Sequence, residues 1–319
     1  MCYKEKPLFL KRMQTILPNG EDLQKFSEIT HQEPLDFIRC NTLKITPEKL
    51  LARLNKKWQV SQPYNKYPEI FLITSNLQPG ELGNSIEHLI GYFYVQEVSS
   101  MMSAIALEPK PNELVLDLFA SPGSKTTQIA ALMNNQGTII ANEIKPDRTK
   151  ILISNLEKSG VTNTIVTRHD AVSLTDRLSK LGIKFDKILL DAPCSGEGTL
   201  RSSPKTFDSW NLKVIQKLSR LQKKFLATTI KLLKKGGTLV YSTCTHAPEE
   251  NEEIVSYALN KFPLKAETLS LPLKCKPGLK EWDGKKFHKD VLKSCRIYPQ
   301  DNDSEGFFLA KFTLTEEAK

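Results

Sequence analysis

Two short runs bring a thiol to a position where it could react. D-A-P-C-S-G (191–196) sets Cys194 beside Asp191 and a rigid proline, and S-T-C-T (242–245) carries Cys244. A buried free cysteine commonly serves as a small hydrophobe. Both of these, however, follow short apolar runs that read as strands and so fall in loops, and a reactive thiol needs such access and a polar setting. A third run, D-L-F-A-S-P-G-S-K-T (117–126), makes a tight turn at Pro122-Gly123 before a helical stretch. The first N–H groups of that helix are left free to hold a carboxylate or phosphate. Lys125-Thr126 matches the end of a Walker A pattern, but Phe119 and Ser124 stand at its two glycine positions, so the P-loop reading fails.

Acids stand at three successive strand ends: Asp117, Glu143, which lies 26 residues further on, and Asp170. Each alone could be a solvated strand-end residue or a helix cap. In series they suit a nucleoside-containing cofactor lying across a sheet, with Glu143 where a carboxylate binds both ribose hydroxyls. A thiol, an acid and such a cofactor together suggest methylation at carbon 5 of cytosine. That carbon is too electron-poor to attack a methyl group until a thiolate adds at carbon 6 and makes the ring an enamine. An acid near ring nitrogen 3 stabilises the developing charge. A base then removes the carbon 5 proton and the cysteine leaves by elimination.

The elements that must position these residues follow from the pattern of apolar runs. Strands are expected over 114–119, 138–142, 164–168, 185–191, 238–242 and 306–312, and helices over 125–133, 146–158, 212–233 and 248–260. This alternation predicts an α/β doubly wound sheet, which binds ligands outside the carboxyl ends of its strands. Before residue 95 the sequence differs, with short apolar runs broken at Gln62-Pro63, Tyr67-Pro68 and Gln78-Pro79-Gly80. We read residues 1–95 as a small α+β domain and 96–319 as the catalytic domain. Trp58, Tyr64, Tyr67 and Phe71 could stack bases but receive no role, since aromatics in a small domain are more often core.

Composition sets the frame. The chain has 319 residues, 39% of them hydrophobic, with 45 Lys+Arg against 36 Asp+Glu, a net charge of +9. This excludes disorder and collagen-like repetition and is compatible with a polyanionic partner. The longest uncharged apolar run, Leu89 to Val95, is far short of the roughly 20 residues that cross a bilayer, and Met1 to Arg12 has no signal-peptide core. A soluble, cytoplasmic protein is expected. The six cysteines, Cys2, Cys40, Cys194, Cys244, Cys275 and Cys295, lie far apart, so no zinc cage, other metal site or disulfide framework is expected and any special cysteine should be catalytic.

The sequence closely resembles the RNA cytosine-5 methyltransferases of the Sun (Fmu), RsmB and Nop family over nearly its whole length, most of all the archaeal-type tRNA enzymes. The segments that carry the resemblance are R-C-N-T-L-K (39–44), Y-V-Q-E-V-S-S (94–100), D-L-F-A-S-P-G-S-K-T, D-A-P-C-S-G-E-G-T-L-R (191–201), S-T-C-T-H-A-P-E-E-N-E (242–252) and E-G-F-F-L-A-K-F (305–312). The resemblance implies a Rossmann-like class I methyltransferase fold and S-adenosylmethionine as cofactor. It further implies that Cys244 is the nucleophile, Cys194 assists release of methylated RNA, Asp191 contacts both the cytosine and the cofactor, and Lys125 stands at the reacting centre. Ala120, Ser121, Pro122, Gly123 and Ser124 would wrap the methionine end, Glu143 would take the ribose, Asp170 the adenine side, and Arg148 would brace the pocket. DNA cytosine-5 methyltransferases attack instead from the P-C cysteine. Ser121 and Ser124 depart from the family's A-A-P-G-G-K-T, which should soften the cofactor contacts while sparing every catalytic side chain.

The positive charge is concentrated: residues 201–235 hold 10 basic side chains and one acid, whereas 1–110 hold 13 and 12. Lys213, Lys217, Arg220 and Lys224 recur at helical spacing opposite Val214, Leu218, Leu221 and Phe225, as either a phosphate-contacting stripe or a solvated face. A second cluster, Lys274 to Arg296, could line the same groove. Arg39 and Asn41, in the family's R-x-N-T-L-K motif, and Arg201 complete the expected RNA contacts. The expectation is an enzyme acting as a monomer on RNA, with tRNA preferred over rRNA because the chain is compact and has no long ribosome-directed tail. The alternatives are an rRNA enzyme, a DNA methyltransferase, or a non-catalytic RNA-binding or assembly protein that keeps the fold.

Overall fold

The computed structural model describes residues 6–317. Cys2 and the start of the Met1–Arg12 stretch lie outside the described residues. The chain begins with helices α1 (Pro7–Ile16) and α2 (Gly20–Thr30), followed by β1 (Asp36–Cys40), α3 (Pro47–Leu54), β2 (Val60–Ser61), β3 (Ile70–Ile73), α4 (Ile86–Leu89) and β4 (Phe93–Val95). The four strands form an antiparallel sheet in the order β2-β3-β1-β4. Helix α3 starts at Pro47, with the Thr46 hydroxyl accepting from the Lys49 N–H, and buries Leu50 and Leu54 against Ile38, Trp58, Phe71 and Phe93. Trp58 and Phe71 are therefore core. Helices α1 and α2 leave this sheet: Phe9, Met13, Ile16 and Phe26 pack with Leu200, Phe207, Trp210 and Tyr298 of the larger unit.

The larger unit runs α5 (Val98–Leu107), β5 (Leu114–Asp117), α6 (Ser124–Leu132), β6 (Thr138–Asn142), α7 (Pro146–Ser159), β7 (Thr164–Thr167), α8 (Ala171–Lys180) and β8 (Phe185–Asp191). It continues with α9 (Leu212–Ile230), β9 (Leu233–Thr243), α10 (Glu252–Lys261), β10 (Leu264–Glu267), β11 (Lys276–Pro277), β12 (Glu281–Trp282), β13 (Lys285–Lys286), β14 (Cys295–Ile297), α11 (Pro299–Asn302) and β15 (Phe307–Leu314). Nine strands form one sheet in the order β11-β14-β15-β9-β8-β5-β6-β7, with β10 also on β15. The β5 to β9 region is parallel, and β15 runs antiparallel to β9. The chain order reverses between β5 and β8, so Asp117 and Asp191 end the two strands that flank the crevice where such sheets bind ligands. Along β8, Ile188 and Leu190 enter the core against α8, α9 and α10, while Leu189 faces that against α5 and α6. Both faces are covered, which is why the strand is almost continuously apolar.

Several boundaries differ from the expectation. Helices α5 and α8 were not expected, and α5 is buried on nearly every side, so it shows no amphipathic period. Helix α9 stops at Ile230, and α10 begins at Glu252 rather than Pro248. The expected absence of disulfides is corrected: Cys275 and Cys295 are bonded across the β11–β14 pair. Their 20-residue separation hides a close approach made by antiparallel pairing. Cys40 is buried, its thiol pushed up to about 12 by desolvation, and it is a core residue.

Candidate active site

The loop after β5 is shaped by its neighbours on α7. Gly123 caps α6 at φ +107°, and a side chain there would press on Leu152 at 3.2 Å. Arg148 donates to the Ser121 carbonyl at 2.6 Å, and the Ser121 hydroxyl returns a bond to the Arg148 carbonyl at 2.9 Å. The serine that departs from the family pattern thus ties the loop to α7. The Ala120 N–H donates to the Asn142 carbonyl, and the Pro122 carbonyl accepts from Asn155. Buried Glu143 accepts from the Lys145 N–H at 2.9 Å and stands 3.4 Å from Arg148. Asp170 caps α8 through the N–H groups of Val172 and Ser173 and also lines the cavity. Asn142, which the sequence reading missed, bonds Leu118, Thr167 and His169 and locks three strand ends together.

Ser121, Asn142, Glu143, Lys145, Arg148 and Asp170 line a cavity of about 540 Å³ that reaches on to Asp191, Cys194 and Cys244, whereas Ala120, Pro122, Gly123 and Ser124 of the expected cofactor loop are not among its lining residues. Its volume suits a ligand of nucleoside-cofactor size, within about 300–1,000 Å³. Apolar walls from Ile144, Leu221 and Phe225 face carboxylates that can accept from hydroxyl and amino groups. S-adenosylmethionine, an adenosine with a cationic sulfonium and amino-acid tail, fits that donor set. A second recess of about 260 Å³, lined by Glu97, Ser100, Pro122, Ser124, Lys125 and Phe307, opens on the other side. Asp191, Ala192, Thr199 and Cys244 border both.

At this junction the Cys194 and Cys244 sulfurs lie 3.2 Å apart. The contact with Cys244, then burial, hold the Cys194 thiol well above its ordinary value, so Cys194 keeps its proton. Lys125 Nζ lies 2.7 Å from Asp191 Oδ2, and the other Asp191 oxygen accepts from the Ser242 hydroxyl at 2.6 Å. Burial works against the Lys125 charge, but Asp191, with Cys244 and Asp117 behind it, raises the ammonium above its usual value. Asp117 is buried beneath, accepts from Thr126 at 2.7 Å, and is pushed by desolvation up to about 6. The Cys244 loop is fixed by backbone: the Gly198 N–H donates to the Cys244 carbonyl and the Gly306 N–H to Gly198, and a Cβ at Gly198 would fall 2.1 Å from the Gly306 carbonyl.

The expected RNA contacts divide. Arg39 is buried and donates to Gln96, the Ser124 carbonyl and Thr127; Asn41 is buried and donates to the Gly91 and Ser159 carbonyls. Arg201 is buried too and bonds the carbonyls of Gln32, Glu33 and Ser304 and the Asp303 carboxylate. These three are corrected from surface contacts to internal struts. Lys213, Lys217, Arg220 and Lys224 are exposed on α9, and no ion pair is recorded for them among the described residues. The apolar stripe opposite them also shifts. The buried seam of α9 is Ile215, Ser219, Gln222, Leu226, Thr229 and Ile230, while Leu218, Leu221 and Phe225 line the large cavity. In the Lys274–Arg296 cluster, Lys274, Lys276, Lys285, Lys293 and Arg296 all pair with carboxylates, so most of its charge is internally balanced. The acids of P-E-E-N-E carry no legible role in the sequence. In the structure Glu249 pairs with Arg12, Glu252 with Arg296, and Asn251 holds Thr243 and the Thr245 carbonyl. Among the described residues no group of three or more His, Cys, Asp or Glu could hold a metal, and no helix is long and apolar enough to cross a membrane.

Residues 104–313 match the 16S rRNA methyltransferase RsmB/F family, and residues 6–98 match the N-terminal domain of 16S rRNA methyltransferase RsmF. The chain is 41% identical over 292 residues to the tRNA (cytosine(49)-C(5))-methyltransferase of Pyrococcus abyssi, covering 91% of this chain and 92% of that protein. It is 39% identical to the ribosomal RNA small subunit methyltransferase F of Psychromonas ingrahamii, covering 97% of this chain but only 63% of that protein. Among solved structures, a methyltransferase homolog from Pyrococcus horikoshii superposes with a TM-score of 0.81 at 34% identity over 92% of this chain and 91% of that one. NSun6 from Pyrococcus horikoshii, solved with the S-adenosylmethionine analogue SFG, also gives 0.81, at 28% identity over 96% and 98% of the two chains. Matched across most of its length, the chain belongs to the RsmB/F family of S-adenosylmethionine-dependent RNA cytosine-5 methyltransferases.

Proposed function

We propose that this chain methylates carbon 5 of a cytosine in tRNA, with Cys244 as nucleophile and Cys194 as the residue that assists release. The observation that carries the reading is the sulfur pair at 3.2 Å where the two cavities meet beside Asp191 and Lys125. One cavity suits the cofactor and the other a flipped-out base.

S-adenosylmethionine would be held by Glu143 at the ribose, Asp170 toward the adenine, Arg148 as brace and Ser121 at the methionine end, with Ala120, Pro122, Gly123 and Ser124 completing the turn whose far side, at Pro122 and Ser124, lines the second recess. When bound it supplies an electrophilic methyl group. Cys244 adds as thiolate to carbon 6 of the base, forming an S–C bond and moving electron density onto the ring. Asp191 hydrogen-bonds near ring nitrogen 3, and the Lys125 ammonium, 2.7 Å from it, balances the charge. Once carbon 5 is methylated, its proton goes to a base and the S–C bond breaks with return of the thiolate. Cys194, holding its proton beside Cys244, stands where it can act on that second half of the reaction. RNA would lie along Lys213, Lys217, Arg220 and Lys224. The enzyme is read as cytoplasmic and monomeric.

The preference for tRNA is supported by the 41% identity over 292 residues to a tRNA (cytosine(49)-C(5))-methyltransferase. The test uses radiolabelled cofactor with unmodified tRNA and small-subunit rRNA transcripts, followed by bisulfite mapping. Native protein should label tRNA. Cys194→Ala should accumulate a denaturant-resistant protein–RNA adduct, and Cys244→Ala should neither form it nor methylate. Full activity in Cys244→Ala would overturn the mechanism, and labelling of rRNA alone would overturn the substrate.

A further inference from the structure

Cys194 sits on a loop with little regular structure, yet its release role would demand a fixed position. The two peptide groups that flank it are both held from below. The Ser195 N–H donates to the Glu250 carboxyl, at 3.3 Å to one oxygen and 3.1 Å to the other. Gln222 Nε2 donates to Glu250 Oε2 at 2.8 Å and to the Pro193 carbonyl at 2.9 Å. Glu250 is fully buried and no cation pairs with it among the described residues. Its own backbone is pinned, since the Tyr241 hydroxyl donates to the Glu250 carbonyl at 2.6 Å. Ser195 Oγ then lies 2.8 Å from Thr245 Oγ1, which joins this loop to the one that carries Cys244.

We infer that Glu250 and Gln222 are positioning residues for the release step, holding Cys194 against Cys244 through the two peptide groups on either side of it. The inference rests on the reading of Cys194 as the residue that assists release. A buried polar pair is costly where its bonds are not made; here the Gln222 amide N–H groups and the Glu250 carboxyl converge on the two peptide groups around one residue of the site, and Gln222 Oε1 is left without a partner among the described residues. Burial pushes the Glu250 carboxyl up to about 8, so near neutral pH it holds a proton and an unpaired charge is avoided. The long α9 supplies Gln222 between Ser219 and Leu226 on its buried face, a rigid mount for a loop. The nucleophile's loop has a support that does not pass through the Glu250 side chain, since Asn251 accepts from the Thr243 hydroxyl at 2.6 Å and donates to the Thr245 carbonyl at 2.8 Å, so Cys244 keeps its place when the Glu250 carboxyl is lost.

The test compares full-length Glu250→Leu, Gln222→Leu and Glu250→Gln with native protein and Cys194→Ala, by steady-state kinetics and denaturing gels of protein with RNA. The two leucine variants should lose about 10- to 100-fold in kcat, as expected for a reacting group displaced by about 1 Å, with KM for RNA and cofactor within about 2-fold. They should also accumulate the adduct, as Cys194→Ala does. Glu250→Gln, whose amide oxygen can still accept from Ser195, should return to within about 3-fold of native. Native turnover in both leucine variants, or loss of the adduct as in Cys244→Ala, overturns the inference. If Cys194→Ala forms no adduct, the reading of Cys194 itself fails, whereas adduct in Cys194→Ala but not in the leucine variants overturns only the role of Glu250 and Gln222. Melting curves and cofactor affinity identify a misfolded variant, and if Glu250→Leu does not fold, Gln222→Leu decides.

Discussion

Arg39, Arg201 and Arg296 turn their charge inward, whereas Lys213, Lys217, Arg220 and Lys224 turn theirs to solvent. The inward set holds places where distant segments cross. Arg39 ties the N-terminal sheet to the first turn of α6, and in the same motif Lys44 donates to the carbonyls of Ile90 and Lys158. Arg201 joins the turn after α2 to the turn before β15, and Arg296 makes a two-pronged pair with Glu252 at 2.6 Å while also holding the His246 carbonyl. Guanidinium suits this work because its fixed fork of donors satisfies several carbonyls at once. The outward set is mostly lysine on one helix face, where each charge keeps its hydration. The basic residues of this chain thus divide into buried struts and solvated charges, and burial separates them.

The largest effect that would test this division is on stability. Arg201→Met should cost about 2–3 kcal/mol in urea unfolding, since it leaves the buried Ser304 carbonyl, the partly buried carbonyls of Gln32 and Glu33 and the half-exposed Asp303 carboxylate without their donor. The salt dependence of RNA binding should stay as in native protein; a flattened dependence would return Arg201 to the RNA surface. The paired change Lys217→Glu, Lys224→Glu should do the reverse. It should raise the apparent KM for RNA about 10-fold at low salt, converge on native behaviour at high salt, and leave stability within about 0.5 kcal/mol. Unchanged RNA binding across salt would make that helix face merely solvated.

The smallest effect sharpens the description of the interior. His246 is buried against Tyr298 and Phe26, and burial, with the Arg296 charge, depresses it to about 3. Its folded value lies below its unfolded value of about 6.5, so the unfolded chain takes up a proton first as pH falls. This group's contribution is complete above about pH 6.5 and is lost progressively toward pH 3, with a slope of up to about 1.4 kcal/mol per pH unit. His246→Asn should be less stable near neutrality but lose less between those pH values. An equal loss in both proteins would show that His246 takes up its proton in the folded state.

The catalytic half of the fold was legible because its parallel strands are nearly unbroken apolar runs and its helices mostly amphipathic. Helix α5 was not, because Met101, Met102, Ala104 and Leu107 bury it on all sides and erase the period. The Cys275–Cys295 bond was hidden by the same limitation, since pairing partners across a sheet leave no trace in spacing. The cysteines and acids of the site could be found because they stand at strand ends. Glu250, Gln222 and Asn142 could not, because a polar residue that braces a loop from inside looks in sequence like one facing water.

What the sequence determined by itself was the chemistry: two thiols, Asp191, Lys125 and the acids at successive strand ends, in a chain whose excess charge gathers in residues 201–235. Such features are local, written in residue type and spacing. What only the tertiary structure decided was which groups meet and which face water. It brought Cys194 and Cys244 to 3.2 Å across 50 residues, assigned Arg39, Asn41 and Arg201 to the interior, and left the α9 lysines outside. The physical reason is that burial and hydrogen-bond satisfaction depend on segments far apart in sequence, and these fix whether a charge is a strut or a contact surface.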